Sequence, residues 1–223
     1  MRKLIQGIIE FRRSRRAEVK ETFARLALGQ SPDALFIACS DSRVAANLFA
    51  STEPGDLFVI RNVGNLIPRA NAQGINERDS SVAAAIEFSS NVLKVRDIVV
   101  CGHSECGAMN ALLDARPVPP SLQAWLRHAE LPLRKLQSGA RMNAELAPHN
   151  HLSQLNVLQQ VENLRSYPVI RDRVAEGKLR LNAWWFDIAQ AEVSAYEESM
   201  DRFVVIDEAE GARLLERQDK EGT

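Results

Sequence analysis

Short, nearly continuous runs of apolar residues recur in the first half of the chain, separated by polar segments and turn residues. Three such runs are residues 34–39, 57–60 and 98–101. Runs of this length without polar alternation are typical of strands buried on both faces of a parallel sheet. Two later strands are predicted as well, at residues 179–188 and, as an edge strand, 203–206.

Between these runs the apolar positions follow helical spacing. An amphipathic helical arm is predicted over residues 2–27, and its stripe is formed by Leu4, Ile8, Phe11, Val19, Phe23 and Leu26. Three further helices are predicted at residues 80–93, 121–136 and 152–165. Strands that alternate with helices indicate an α/β fold, with a mainly parallel central β-sheet flanked by helices and an N-terminal helical arm. The charged face of the arm leaves open whether it packs on its own domain or on a partner subunit.

Length and charge narrow the picture further. A chain of 223 residues suits a single domain. Its 28 Lys and Arg residues balance 29 Asp and Glu residues, so no overall field favours nucleic acid or an anionic membrane. No apolar run approaches the length of a membrane span, and the N-terminus does not resemble a secretory signal. The three cysteines are too few for a disulfide framework, which predicts a cytoplasmic location, either free or inside a bacterial microcompartment.

Two short segments carry the candidate chemistry, Cys-Ser-Asp-Ser-Arg at residues 39–43 and Cys-Gly-His-Ser-Glu-Cys-Gly at residues 101–107. Each follows a predicted strand, and ligands of parallel sheets gather beyond the carboxyl ends of the strands. A helix beginning near His103 would place His103 and Cys106 on one face of its first turn. Taken alone, this pair fits a zinc site and a redox-inert thiol beside a capping histidine equally well.

Cys39 favours the metal. Together Cys39, His103 and Cys106 leave one position of a tetrahedral ion open, and three ligands with an open position are typical of catalytic zinc. Cys101 is predicted to be a buried structural cysteine that faces away from the metal. Two histidines in a polar stretch are predicted to be surface residues rather than ligands, His149 and His151.

Asp41 and Arg43 lie next to this site and are spaced to form a bidentate ion pair. Asp41 then accepts a hydrogen bond from a metal-bound hydroxide, while Arg43 keeps the carboxylate ionised and oriented. Alternatively, Asp41 binds the metal as a fourth ligand and closes the site, or the pair is a surface salt bridge.

The motifs, taken in order, resemble those of the β-class carbonic anhydrases, and specifically the plant-like and cyanobacterial branch. The resemblance covers roughly residues 1–190, and the segments that carry it are residues 39–43, 54–65, 85–88, 101–108, 156–157 and 177–179. It implies one Zn²⁺ per chain, held by Cys39, His103 and Cys106, with Asp41 and Arg43 as the catalytic dyad. The implied reaction is the reversible hydration of carbon dioxide to bicarbonate and a proton, by attack of zinc-bound hydroxide.

The same resemblance implies a homodimer or higher homo-oligomer in which the arm, residues 1–28, packs on a partner subunit. It assigns substrate binding to Gln30, which would hydrogen-bond the substrate, and to the apolar pocket residues Phe58 and Val63, with Phe88 at the pocket rim. Plain core packing would also explain Phe58 and Val63. Phe36 and Phe186 stand where a bicarbonate-regulated branch has Trp and Tyr, so the chain is similar to the constitutively open type.

Several positions depart from the family pattern. Phe88 replaces a tyrosine, Asn182-Ala183 replaces His-Gly, and residues 71–81 form a longer, more charged link. These changes leave two alternatives open: a zinc hydrolase of carbonyl sulfide or carbon disulfide, and a non-catalytic zinc-bearing scaffold. The charged segment after Asp201 is predicted to be frayed.

Overall fold

The computed structural model describes residues 1–71, 73–75, 79–142 and 145–221. Its strands form one six-stranded sheet in the order β2-β1-β3-β4-β5-β6. Their bounds are β1 Ala34–Cys39, β2 Leu57–Asn62, β3 Asp97–His103, β4 Arg180–Asp187, β5 Glu192–Glu197 and β6 Arg202–Val205. The first four strands pair in parallel, and β5 and β6 pair antiparallel. The mainly parallel sheet is therefore confirmed, β6 is an edge strand as predicted, and β5 is a strand that the sequence analysis missed.

The apolar run of β1 is explained by its two buried faces. Leu35 and Ile37 belong to one core cluster, and Phe36 and Ala38 belong to another. β3 behaves in the same way, since alternate residues enter the same two clusters. Neither strand has a solvent face, so neither shows polar alternation.

Helices cover the sheet. Their bounds are α1 Arg2–Glu10, α2 Arg16–Leu26, α3 Ala46–Phe49, α4 Ser80–Glu87, α5 Gly107–Leu113, α6 Pro120–Leu126, α7 Glu130–Gln137, α8 Pro148–Leu164, α9 Pro168–Ala175 and α10 Glu208–Glu221. A π-helical turn at Phe11–Arg15 joins α1 to α2, which confirms the predicted arm. Of the predicted charged link, residues 72 and 76–78 lie outside the described residues.

The prediction of a frayed C-terminal segment is wrong, because α10 occupies it. The helix is anchored through Arg213 and Arg217, whose guanidinium groups donate to the buried carboxylate of Glu197 in β5. This charged helix is ordered because its arginine side chains form ion pairs with a buried carboxylate. Among the described residues, no helix combines the length and apolarity needed to cross a bilayer.

Candidate metal centre

The sheet brings the three predicted ligands together at one edge. Cys39 is the last residue of β1 and His103 the last residue of β3, and these strands pair in parallel, so their carboxyl ends meet. Cys106 lies at the N-cap of α5. The Cys39 Sγ, His103 ring nitrogen and Cys106 Sγ atoms lie within 4.8 Å of one another. The predicted convergence is confirmed, but the reason given for one pair is wrong: His103 ends a strand, so it does not share a helical turn with Cys106.

His103 is oriented by its own backbone neighbourhood. Its Nδ1 lies 2.8 Å from the carbonyl oxygen of Ser104, and because a carbonyl only accepts, Nδ1 carries the proton. Nε2 is then the unprotonated nitrogen; it is buried and has no hydrogen-bond partner among the described residues. A buried, unpaired ring nitrogen is costly unless it serves as a ligand, and an imidazole fixed at Nδ1 is the usual arrangement around metal ions.

The two thiols are close enough to share a hydrogen bond. The Cys106 thiol at the Cys39 sulfur lowers the pKa of Cys39 to about 4. The same contact, together with burial, raises the pKa of Cys106 well above its ordinary value. The backbone N–H of Gly64 donates to Cys39 Sγ at 3.3 Å, which also favours a thiolate. Cys101 is buried in the cluster of Phe36 and Ala38, away from the two ligand thiols, and burial raises its pKa to about 12. Its prediction as a structural cysteine is consistent with this position.

Asp41 and Arg43 form the bidentate pair that their spacing predicts. Arg43 Nε donates to Asp41 Oδ1 at 2.9 Å and its terminal nitrogen donates to Oδ2 at 2.8 Å. The Arg43 side chain, hydrogen-bonded to the carboxylate, holds the pKa of Asp41 well below its usual range. Asp41 lies outside the group of three ligand atoms. In this conformation its carboxylate is bound by Arg43 and carries a full charge at neutral pH.

Arg61 is a site residue that the sequence analysis missed. Its guanidinium donates to the carbonyl oxygen of Cys39 at 3.0 and 3.1 Å and to that of Asp41 at 2.7 Å. One side chain in β2 thus fixes the backbone between a ligand and the dyad. The residue stands in the matched segment 54–65, so its position was visible, but the sequence holds no sign that it would bind these carbonyls.

Buried polar side chains of α8 form hydrogen bonds to the backbone of the site. The sequence analysis did not predict these contacts. The Ser153 hydroxyl donates to the His103 carbonyl oxygen at 2.7 Å and accepts from Trp185 Nε1 at 3.1 Å. Asn156 donates to the carbonyl oxygen of Gly64 at 3.1 Å. The stripe of buried polar residues at helical spacing is Asn150, Ser153, Asn156, Gln160 and Asn163, and this stripe was the available sign.

The two histidines of α8 were predicted to lie on the surface. For His151 this is wrong, because it is buried on the helix. His149 is partly covered, and its Nε2 lies 2.8 Å from Glu105 Oε1. Neither belongs to the group of candidate ligand atoms.

The donor set suits zinc. Two thiolates and one imidazole are typical zinc ligands, and a set of three leaves the position that a catalytic ion needs. A divalent cation would satisfy both features of this group. It would give His103 Nε2 a partner, and it would replace the proton that lies between the Cys39 and Cys106 sulfurs.

Comparison with known proteins agrees with this geometry. A family model described as carbonic anhydrase matches residues 34–193. The chain belongs to the β-carbonic anhydrase family. It is similar to the carbonic anhydrase of Pseudomonas aeruginosa PAO1, with 40% identity over 217 residues that cover 96% of each chain. A cyanobacterial relative, the carbonic anhydrase of Synechococcus elongatus, is 38% identical over 99% of this chain and 80% of its own.

Solved structures extend this family assignment to the fold. The β-carbonic anhydrase CcaA superimposes with a TM-score of 0.83 and 37% identity, over 92% of this chain and 98% of its own. One of two tetrameric β-carbonic anhydrases from Sordaria macrospora superimposes with a TM-score of 0.74 and 28% identity, over 87% and 95% of the two chains. The chain is therefore an enzyme of the carbonic anhydrase class, and hydration of carbon dioxide is its general kind of reaction.

The residues assigned to substrate by family resemblance lie in different surroundings. Gln30 is exposed in the loop between α2 and β1. Phe58 and Phe88 contact each other, with ring centroids 5.7 Å apart. Val63 follows β2 and is partly exposed, and its carbonyl oxygen accepts from Trp125 Nε1 at 2.7 Å. Trp125 thereby holds the backbone of Val63 beside the metal-site residue Gly64.

Proposed function

We propose that this chain is a zinc enzyme that reversibly hydrates carbon dioxide, with one Zn²⁺ held by Cys39, His103 and Cys106. The carrying observation is the buried group of three ligand atoms, in which His103 Nε2 has no other described partner, next to a carboxylate held by an arginine. A zinc ion with an open position supplies a water acidified enough to react near neutral pH.

In this proposal Asp41, held by Arg43, orients the attacking hydroxyl by accepting its hydrogen bond. Asp41 is ionised, so its oxygens only accept. Oδ1 already accepts from the backbone N–H and the Nε of Arg43, whereas Oδ2 accepts one bond from Arg43 and retains accepting capacity. The carboxylate accepts a hydrogen bond from the reacting hydroxyl and directs its lone pair toward carbon dioxide. Phe58 and Val63, with Phe88 at the rim, supply the apolar surroundings of the substrate, and Gln30 hydrogen-bonds one of its oxygens.

We assign the enzyme to the constitutively open type. Both carboxylate oxygens of Asp41 are bound by Arg43, which argues against Asp41 as a fourth ligand. At the two positions that would shape an effector pocket, Phe36 and Phe186 pack on Phe49, with centroid distances of 6.1 and 4.6 Å. None of these three phenylalanine rings carries a hydrogen-bonding group for bicarbonate.

The proposal includes a homodimer or higher homo-oligomer in which residues 1–28 pack on a partner subunit. None of the residues of α1, the π-turn and α2 is buried by the rest of this chain. Leu4, Ile8 and Phe11 lie exposed along one stripe, which is typical of a surface that another chain covers. The tetrameric Sordaria macrospora enzymes are a precedent for such assembly.

The test is stopped-flow hydration of carbon dioxide, with zinc content measured on the same samples, for the wild type and Asp41→Asn. We expect about one zinc per chain, as a three-ligand site predicts. Loss of the ionised acceptor should lower kcat by about 10²-fold or more while zinc content stays constant.

The matched control is Asp114→Asn. Asp114 pairs with Arg116 at the same spacing as the dyad but lies in an exposed ion pair after α5. This variant should retain the wild-type rate. Full zinc without hydration at pH 7–9 would contradict the proposal; turnover of carbonyl sulfide or carbon disulfide in the same samples would then favour a sulfur-substrate hydrolase, and no turnover would favour a scaffold.

A further inference from the structure

The three-residue step between the ligands His103 and Cys106 contains an unfavourable backbone conformation. Glu105 has φ = +55°, in the left-handed region that non-glycine residues rarely occupy. Such a conformation persists only where the surroundings hold it. Since Glu105 directly precedes Cys106, its backbone angles determine where the Cys106 side chain points.

Asn150 holds this conformation from the first turn of α8. Its Oδ1 accepts from the Glu105 backbone N–H at 2.9 Å, and its Nδ2 donates to Glu105 Oε1 at 3.3 Å. His149 contacts the same carboxylate oxygen at 2.8 Å. On the other side, Arg43 donates to the Glu105 carbonyl oxygen at 3.1 Å. Thus the N–H, the C=O and the side chain of Glu105 are all bound by distant parts of the chain.

The side chain of Asn150 forms its hydrogen bonds to the Glu105 loop and not to its own helix. Asparagine near a helix start commonly caps its own helix. Here the N-cap is Ala147, no side chain caps α8, and both polar atoms of Asn150 are bonded to a residue 45 positions earlier. Asn150 is also buried, so its bonds to Glu105 are shielded from competing water.

We propose that Asn150 is a positioning residue for the metal centre. By fixing Glu105 in the left-handed conformation, it aims Cys106 Sγ at Cys39 and His103. It also places the carbonyl oxygen on which Arg43 rests, so one side chain aligns a ligand and the dyad. This inference rests on the proposed zinc site and deepens it.

The test measures zinc transfer to a chelator from the fully loaded protein, together with the charge-transfer and d–d bands of the Co²⁺-substituted protein. In Asn150→Ala we expect zinc release to accelerate by about tenfold or more, in the range typical of residues that support metal ligands. The cobalt bands should shift because the Cys106 thiolate is misaligned. A second substitution, Glu105→Gly, should recover most of the loss in the Asn150→Ala background, because glycine adopts φ = +55° without support.

The control is Asn47→Ala. Asn47 Nδ2 donates to Thr52 Oγ1 at 3.1 Å across a turn in which Ser51 has φ = +49°, so it also spans a left-handed residue, but away from the ligands. Release as slow in Asn150→Ala as in Asn47→Ala would overturn the inference. So would a faster release that Glu105→Gly does not rescue, since Asn150 would then only stabilise α8. Neither readout needs turnover, so a wild type that retains zinc without hydrating carbon dioxide contradicts the proposed function alone.

Discussion

The metal-binding edge of the sheet and the N-terminal arm are opposite extremes of one chain. At the edge, Cys39, His103 and Cys106 are 5%, 0% and 1% exposed, and the neighbouring backbone is held by side chains of the same chain. Along the arm nothing is buried, and Leu4 and Ile8 are 67% and 68% exposed. The difference teaches that the candidate ligand set is complete within one chain, whereas the arm leaves an apolar stripe exposed, which we propose a second chain covers.

The largest effect on the metal centre is expected from removing one of its proposed ligands. Cys39→Ser should abolish stoichiometric zinc binding and reduce hydration to the uncatalysed rate, because two ligands no longer define a zinc site. Zinc analysis and stopped-flow hydration check this. Cys101→Ser is the matched control, since Cys101 is equally buried on a neighbouring strand but outside the ligand group. Stoichiometric zinc in Cys39→Ser would contradict the assignment.

The packing beneath the edge offers the second test. A Cβ on Gly102 would lie 2.5 Å from Val157 Cγ2, directly before the ligand His103, whereas a Cβ on Gly107 would meet nothing within 4 Å. Gly102→Ala should therefore cost about 1–3 kcal/mol in the free energy of unfolding, as overpacked cores do. Gly107→Ala should be neutral. Urea unfolding of both variants measures the difference, and equal stabilities would show that α8 yields without cost.

The arm should respond in assembly and not in metal binding. The double variant Leu4→Glu/Ile8→Glu places two charges on the exposed stripe and should shift the protein to smaller species in light scattering, with unchanged zinc per chain. Leu215→Glu on α10 is the control, since Leu215 is similarly exposed. An unchanged assembly would mean that the stripe is not the contact surface.

α10 lies between the two extremes, being charged like the arm but anchored like the edge. Burial opposes ionisation of Glu197, yet hydrogen bonds from Arg213 and Ser199 outweigh it, and the net pKa of this carboxyl is lowered. A pKa that is lower in the folded state stabilises the fold above the unfolded value, near 4.3, and this stability is lost as the pH falls through the folded value. The urea midpoint should therefore fall between pH 6 and pH 3, and less steeply in Glu197→Gln. The control Glu162→Gln, which removes an exposed pair with Arg165, should keep the wild-type slope.

Most of the strands, and the meeting of Cys39, His103 and Cys106, could be predicted because their signs are local. Buried parallel strands show as unbroken apolar runs, and the residues after such strands share one edge. β5 was missed because its sequence, EVSAYE, mixes charged and apolar residues. α10 was missed because its anchor, Glu197, is a single residue in another element.

The supporting network could not be predicted for a different physical reason. The bonds from Asn150 and Ser153 reach residues 45 and 50 positions away, so no local pattern reports them. The error about His103 and Cys106 has the same origin. The spacing of three suggested a helical turn, but the left-handed φ of Glu105 brings the two side chains together without one.

The pairing of β1 and β3 has a consequence for how the proposed metal centre would exchange its zinc ion. β1 and β3 are each paired on both sides, and their final pairs are Cys39 with Asn62 and His103 with Phe186. At these last positions each residue is paired on one side only, but both belong to central strands, and central strands are among the last parts of a sheet to open. Cys106 lies outside the strand pairing, directly before a seven-residue helix, and its position depends on the hydrogen bonds that hold Glu105. In the proposed zinc site we therefore expect Cys106 to detach first when the ion exchanges, while Cys39 and His103 stay in place at the ends of their strands.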